Sequence, residues 1–368
     1  MAKFLTPRLL LHGFEIFAAV SLAGFVATLI YGGNVPAFFQ AIGRLHWGWV
    51  LAGLALAACD WLGGGLRLWV VARVLQPNPS LRGMVLAGGM SAWAAYLTPF
   101  NSGAGPMMLY TMRRYGTPLP VAITCLLMSF VGTVGFFAIA GPAAILAGAG
   151  KSLGAHGVVL GISLYDLFLG SLAIFAGLGV LLVLLMIFPR LAIRAITGIG
   201  SRFGRNRPKV RARLMRLRHT LEQAHDSLAS FNNPRGWLAA VLCTIISGPS
   251  HANKLLAGYV ALRAIGITPN FVDVLLLQTL VTFLLYFAPT PGGSGVAEVT
   301  SAAVMSIYVP RELLPIYTLI WRMILSYYTL AAGFLIFSHW VRKGLKGIAV
   351  DEEGAVSSDP VAEAGAPG

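Results

Sequence analysis

Seven ionisable side chains stand inside otherwise apolar stretches of this sequence: Asp60, Arg67, Asp166, His251, Lys254, Glu298 and Arg322. A charge at the centre of a bilayer costs about 3 kcal/mol on insertion scales, so such residues mark polar substrates, ions or proton relays by default. Asp60 and Arg67 are seven residues apart, two helical turns, which puts them on one helix face. His251 and Lys254 follow a Gly248-Pro249 break, Glu298 lies one turn beyond a glycine-rich break, and Arg322 is eight residues into the last apolar run. Arg322 and Lys254 are expected as partners for a phosphate, and Glu298 as their counter-charge or a proton carrier. Asp60, Arg67 and His251 are the candidates for coupling or counter-charge. For each the alternative is a structural buried pair, or a long side chain reaching back to the interface. Cys59, Cys125 and Cys243 lie in apolar segments without metal-ligand spacing. They read as small packed hydrophobes, and no metal or cofactor is expected.

Two further apolar regions, 83–115 and 271–309, are interrupted by Pro, Gly and Ser. The interruptions match as T-P-x-x-S-G: Thr98, Pro99, Ser102 and Gly103 in the first, and Thr290, Pro291, Ser294 and Gly295 in the second, with Gly292 and Gly293 between. Each break leaves two half-length helices. A half-helix N-terminus offers N–H groups and a partial positive charge, and glycine lets a ligand approach the backbone. Irregular backbone at membrane depth is tolerated only inside protein or beside a water-filled cavity.

The elements that position these residues follow from composition. Hydrophobic residues make up 57% of the 368 and charged residues 11%, against about 45–50% and 25% in soluble domains. Mean hydropathy is +0.76. Too few charges remain to cover a soluble surface, so the chain reads as an all-α polytopic membrane protein. Runs at 14–31, 47–75, 118–147, 160–188, 237–262 and 314–340 are each long enough to cross the hydrocarbon. With the two broken regions as re-entrant helical hairpins, this gives six full transmembrane helices and two hairpins. Cytoplasmic termini then leave twenty Lys/Arg inside and four outside, the asymmetry of a multi-pass inner-membrane protein.

Each half then reads span, span, hairpin, span, in opposite orientation: residues 1–150 with hairpin 83–115, and 160–345 with hairpin 271–309. Inverted-topology repeats with broken helices near the midplane characterise secondary transporters. The loop 189–236 carries eleven Lys/Arg. It reads as an amphipathic helix on inner-leaflet anionic lipids or as a topology-setting basic loop. The acidic Ala/Gly/Pro-rich tail 346–368 reads as disordered. The net charge of +14 is gathered in loops rather than spread over a soluble face, so no nucleic-acid partner is implied. Nothing specifies an oligomeric state.

The stretch PTPGGSGVAE at 289–298 resembles the lysylphosphatidylglycerol synthase transmembrane-region family, flippase-like integral membrane proteins. TPFNSGAGPMMLYTMRRYG at 98–116, and Arg322 followed by Tyr327-Tyr328 and Gly333, carry the same likeness over residues 10–345. Ala104 and Met107 depart from the acidic residue and arginine that many members hold there. The best-known relatives fuse this unit to an aminoacyl transferase, and no such sequence follows residue 345 here. The resemblance therefore implies lipid movement between leaflets by alternating access, with an anionic phospholipid or polyprenyl-phosphate-linked lipid as substrate, and no enzymatic activity. No nucleotide-binding loop is present. The drive would then be a gradient, a coupled ion or proton, or consumption of the substrate.

Three other readings compete. Gly292-Gly293-Ser294-Gly295 also reads as a nucleophile turn of an intramembrane serine protease, whose base would have to be His339. An intramembrane or accessory subunit of a lipid or glycolipid transferase lacks a carboxylate pair or phosphate loop. A non-transporting membrane scaffold leaves the intramembrane charges unexplained.

Overall fold

The computed structural model describes residues 7–32, 35–144, 233–286 and 288–340, with scattered positions between 146 and 231. Eleven helices carry the described architecture: α1 (Pro7–Gly32), α2 (Val35–Gly43), α3 (Trp47–Leu75), α4 (Leu81–Tyr96), α5 (Ala104–Arg114), α6 (Leu119–Ala144), α7 (Pro234–Ser250), α8 (Ala252–Ala264), α9 (Phe271–Tyr286), α10 (Val296–Met305) and α11 (Leu314–Arg322). A two-residue β bridge joins Val158–Val159 to Ile162–Ser163. The expected span 160–188, nearly all of the basic loop 189–236 and the tail 346–368 lie outside the described residues.

Four helices are long and apolar enough to cross a membrane: Leu10–Gly32, Trp47–Leu75, Leu119–Ala140 and Arg311–Trp340. The last of these runs through α11 and a π-helical turn, Met323–Tyr327. The apolar run 237–262 is not one continuous helix. It divides at His251 into α7 and α8, because Pro249 has no N–H to donate and its ring crowds the carbonyl one turn back. The helix starts follow local chemistry. Ser80 accepts from the Gly83 N–H at 3.1 Å to open α4. Asn233 accepts from Gly236 at 3.0 Å to open α7, with Pro234 at its first turn.

α3 is the hub, packing against α4, α6, α7 and α8. Lipid is as apolar as leucine, so helices in a membrane associate through close van der Waals packing, which small residues permit. A Cβ on Gly65 would sit 2.2 Å from the Val85 Cα on α4. One apolar cluster joins α3–α6 with α7. A second joins α8–α11.

The broken regions are helix–turn–helix units, α4–α5 and α9–α10. Their turns share a backbone conformation. Phe100 (φ 53°, ψ 27°) matches Gly292 (φ 57°, ψ 21°), and Asn101 (φ 53°) matches Gly293 (φ 64°). They diverge at the serines, where ψ is −23° at Ser102 and 143° at Ser294. The two turns also meet: the Phe100 N–H donates to the Ala288 carbonyl at 3.3 Å.

The α3–α4 contact yields a direct test. Gly65→Val should destabilise the protein by about 1–3 kcal/mol or more, since backbone rather than a flexible side chain fills the space. Its thermal unfolding midpoint in detergent should fall. Gly43→Ala, whose Cβ meets nothing within 4 Å, should leave the midpoint unchanged.

Candidate functional site

The intramembrane charges fall into two groups. In the first, Arg322 and Glu298 form a bidentate pair, Nε to Oε1 at 2.8 Å and Nη2 to Oε2 at 3.0 Å. Neither side chain has exposed surface. Glu298 sits in the first turn of α10, where its Oε2 also accepts from the Gly295 N–H at 2.8 Å. The anion held at this helix N-terminus is thus the chain's own carboxylate. Ser21 on α1 donates to Oε1, and the Tyr327 hydroxyl is 3.0 Å from Ser21 Oγ. Arg322 Nη1 donates to the Gly292 carbonyl at 3.2 Å. Its guanidinium also lies over the Phe17 ring at 5.5 Å. The pair therefore ties α1, α10 and α11 to the second turn.

The second group lines a cavity of about 410 Å³. Asp60, Gly64 and Arg67 face it from α3, Ser129 and Thr133 from α6, and Ser250, His251 and Lys254 from the α7–α8 bend. α4, α5, Asn101 and Gly292 complete much of the remaining wall. Lys254 Nζ is 3.6 Å from Asp60 Oδ1, and Asn253 Nδ2 donates to Oδ2 at 3.3 Å. Arg67 Nη1 donates to the hydroxyls of Thr133 (2.5 Å) and Ser247 (3.2 Å). His251 Nδ1 lies 2.8 Å from the Ser247 carbonyl, and its ring stands edge-on to Phe137. Asp60 is 13 residues from Trp47 and 15 from Leu75, about 20 Å from either end of α3. The Asp60–Lys254 pair is therefore near the middle of α3, and Arg67 stands about 10 Å toward the Leu75 end.

Of the residues singled out in the sequence, the cavity brings together Asp60, Arg67, His251, Lys254 and Gly292. Arg322 and Glu298 face each other behind Gly292, outside the described lining. At the first turn Thr98 and Gly103 are buried against each other, the Gly103 N–H donating to Thr98 Oγ1 at 2.8 Å, while Pro99 and Ser102 are exposed. Gly293, Ser294 and Gly295 are likewise not in the described lining. Asp166 is exposed. Sequence reasoning passed over the hydroxyls of Ser91, Ser129, Thr133, Ser247 and Ser250, and over Asn101. The signal was there for three of them: Ser129 and Thr133 stand four apart, as do Ser247 and the already noted His251, one polar stripe on each helix.

Ser294 Oγ is buried without a hydrogen-bond partner. Arg322 marks the depth of this turn through Gly292, and His339 lies 17 residues further along the same helix, about 25 Å away. That distance is beyond proton transfer from Ser294.

The model of the lysylphosphatidylglycerol synthase TM region matches residues 15–333. The chain belongs to that family. The match runs from α1 through Gly333 and takes in both T-P-x-x-S-G turns, the cavity and the Arg322–Glu298 pair. A UPF0104 membrane protein of Archaeoglobus fulgidus is 24% identical over 295 residues, covering 79% of this chain and 86% of that relative. The chain is accordingly a helical membrane protein of this family.

The Arg322–Glu298 pair predicts asymmetric mutational costs. Glu298→Gln should destabilise by about 3–5 kcal/mol, because Arg322 is left buried without its counter-charge. Glu298→Gln with Arg322→Met should recover much of that loss in unfolding followed by near-UV circular dichroism. A double variant as unstable as the single one would argue against the pair as the source.

Proposed function

We propose that this protein moves the charged headgroup of an anionic phospholipid or polyprenyl-phosphate-linked lipid between leaflets, with the central cavity as the headgroup site. The observation that carries the reading is the cavity itself. It sets Lys254 and Asp60 near the middle of α3, with Arg67 about 10 Å further along that helix and a set of hydroxyls beside them, among apolar helices. A headgroup crossing hydrocarbon needs such a desolvated but polar station. In this assignment Arg67 and Lys254 contact the phosphate, with hydroxyls such as Ser129 and Ser250 around it. Asp60 shares Lys254 with the incoming phosphate and holds that lysine when the site is empty. Arg322 and Glu298 keep the second turn, and Gly292 with it, in the cavity wall.

The same reading takes α4–α5 and α9–α10 as re-entrant hairpins of an inverted repeat, within six full crossings and with both termini in the cytoplasm of a cell with an inner membrane. The shared dihedrals and mutual contact of the two turns support it, as does the distribution of basic residues. Movement would occur by alternating access around the hairpins, without group-transfer chemistry. The family model is named for part of a synthase, which keeps an accessory role beside a lipid transferase as the second reading.

Leaflet exchange in proteoliposomes, read with fluorescent phosphatidylglycerol and a polyprenyl-phosphate analogue, tests the proposal. Arg67→Gln and Lys254→Gln should each slow exchange about 10- to 100-fold in protein that still folds, the loss of one charge-assisted contact, and Lys254→Gln should also lower the unfolding midpoint because Asp60 loses its counter-charge. Absence of exchange of every lipid by well-folded wild type, with and without a proton gradient, would sink it.

A further inference from the structure

A second recess lies between the ends of α3 and α7, separate from the central cavity in its lining residues. It has a volume of about 560 Å³. Its two helices present matching ladders. On α3, Arg73 is two residues from the helix end, with Trp69 and Val70 one turn deeper. On α7, Arg235 is the second residue, with Leu238 and Leu242 following on the same face. Both arginines therefore stand at one end of the recess, and both walls become apolar away from them. Leu242 is about 10 Å beyond Arg235 along the helix.

The groups are fixed to different degrees. The Arg73 guanidinium stacks over the Trp69 ring at 4.7 Å. The indole of Trp69 is itself held, donating to the Pro79 carbonyl at 3.2 Å. Arg235 is exposed beside the first turn of α7, where the helix dipole adds positive potential. Leu238 is 59% and Leu242 36% exposed, so the trough is open along its apolar length. The described lining holds two cations and no carboxylate. A soluble phosphate would use only the rim, and an apolar chain only the trough. A molecule with one anionic end and a hydrocarbon body uses both.

We infer that the α3–α7 groove is a binding site for one anionic phospholipid, its phosphate on Arg73 and Arg235 and an acyl chain along Val70, Leu238 and Leu242. This does not rest on the translocation reading. The site uses no residue of the central cavity, and a lipid held here need not be the one transported.

The test is native mass spectrometry of the full chain, delipidated and then titrated with phosphatidylglycerol or with phosphatidylcholine of identical acyl chains. One phosphatidylglycerol should be retained in preference to phosphatidylcholine. Arg73→Gln with Arg235→Gln should weaken that binding about 30-fold, from the attraction of two surface arginines for anionic lipid. Leu242→Gln should also weaken it, whereas inorganic phosphate should not compete. Arg205→Gln with Arg207→Gln, in the basic loop, should leave it intact. Equal retention of the two lipids, unchanged binding in the Arg73/Arg235 variant, or loss on changing the loop alone would each overturn the assignment. Unchanged unfolding midpoints show that any loss is not misfolding. A protein that failed in leaflet exchange yet kept this selective binding would separate the two proposals.

Discussion

A carboxylate and a guanidinium with no exposed surface are the fixed point of this structure. Glu298 and Arg322, 24 residues apart in sequence, come from different helices and satisfy each other bidentately. Their remaining capacity goes to Ser21, the Gly295 N–H and the Gly292 carbonyl. In a protein bounded by hydrocarbon, such groups cannot fall back on water, so the arrangement is strongly specified. It sets how α1, α10 and α11 meet and how the second T-P-x-x-S-G turn is presented.

From that turn the constraint passes to the cavity. Gly292 is both the acceptor for Arg322 and part of the cavity wall. Its positive φ is one that glycine adopts without strain. The second half also carries a satisfied polar lock, in which Gln278 accepts from Trp321 Nε1 at 2.8 Å and donates to Tyr317. The first half is held differently, by glycine-mediated contact of α3 with α4 and by hydroxyl hydrogen bonds within helices. The cavity lies where these two kinds of packing meet.

Electrostatics distinguish the two charge groups. Arg322 and Glu298 close on each other. Arg67, Lys254 and Asp60 are distributed over hydroxyls and one another around open volume, an arrangement able to exchange partners with a visiting anion. The recess between α3 and α7 repeats this chemistry at the helix ends, with two arginines at the rim and tryptophan, valine and leucine below.

The sequence by itself determined the solvent, the helices and the breaks. Apolar run length specified four membrane-crossing helices among the described residues, and the T-P-x-x-S-G motifs specified where α4–α5 and α9–α10 turn, because proline and glycine act on the local backbone. It also supplied the family resemblance, carried by 289–298 and by Arg322. It could name the intramembrane charges but not their partners. Arg322, with Glu298 as its counter-charge, read as a phosphate ligand alongside Lys254, and Arg67 as a coupling or counter-charge residue. Only the rotation of each helix about its axis, fixed by packing with distant segments, turned the first two toward each other and the others toward the cavity. Asp60 and Lys254 belong to different halves of the chain, and the hydroxyls of α6 and α7 become a polar wall only where Arg67 of α3 reaches both. Composition and local propensity carry no record of such pairings, which exist because a buried charge must find its partner wherever the fold supplies one.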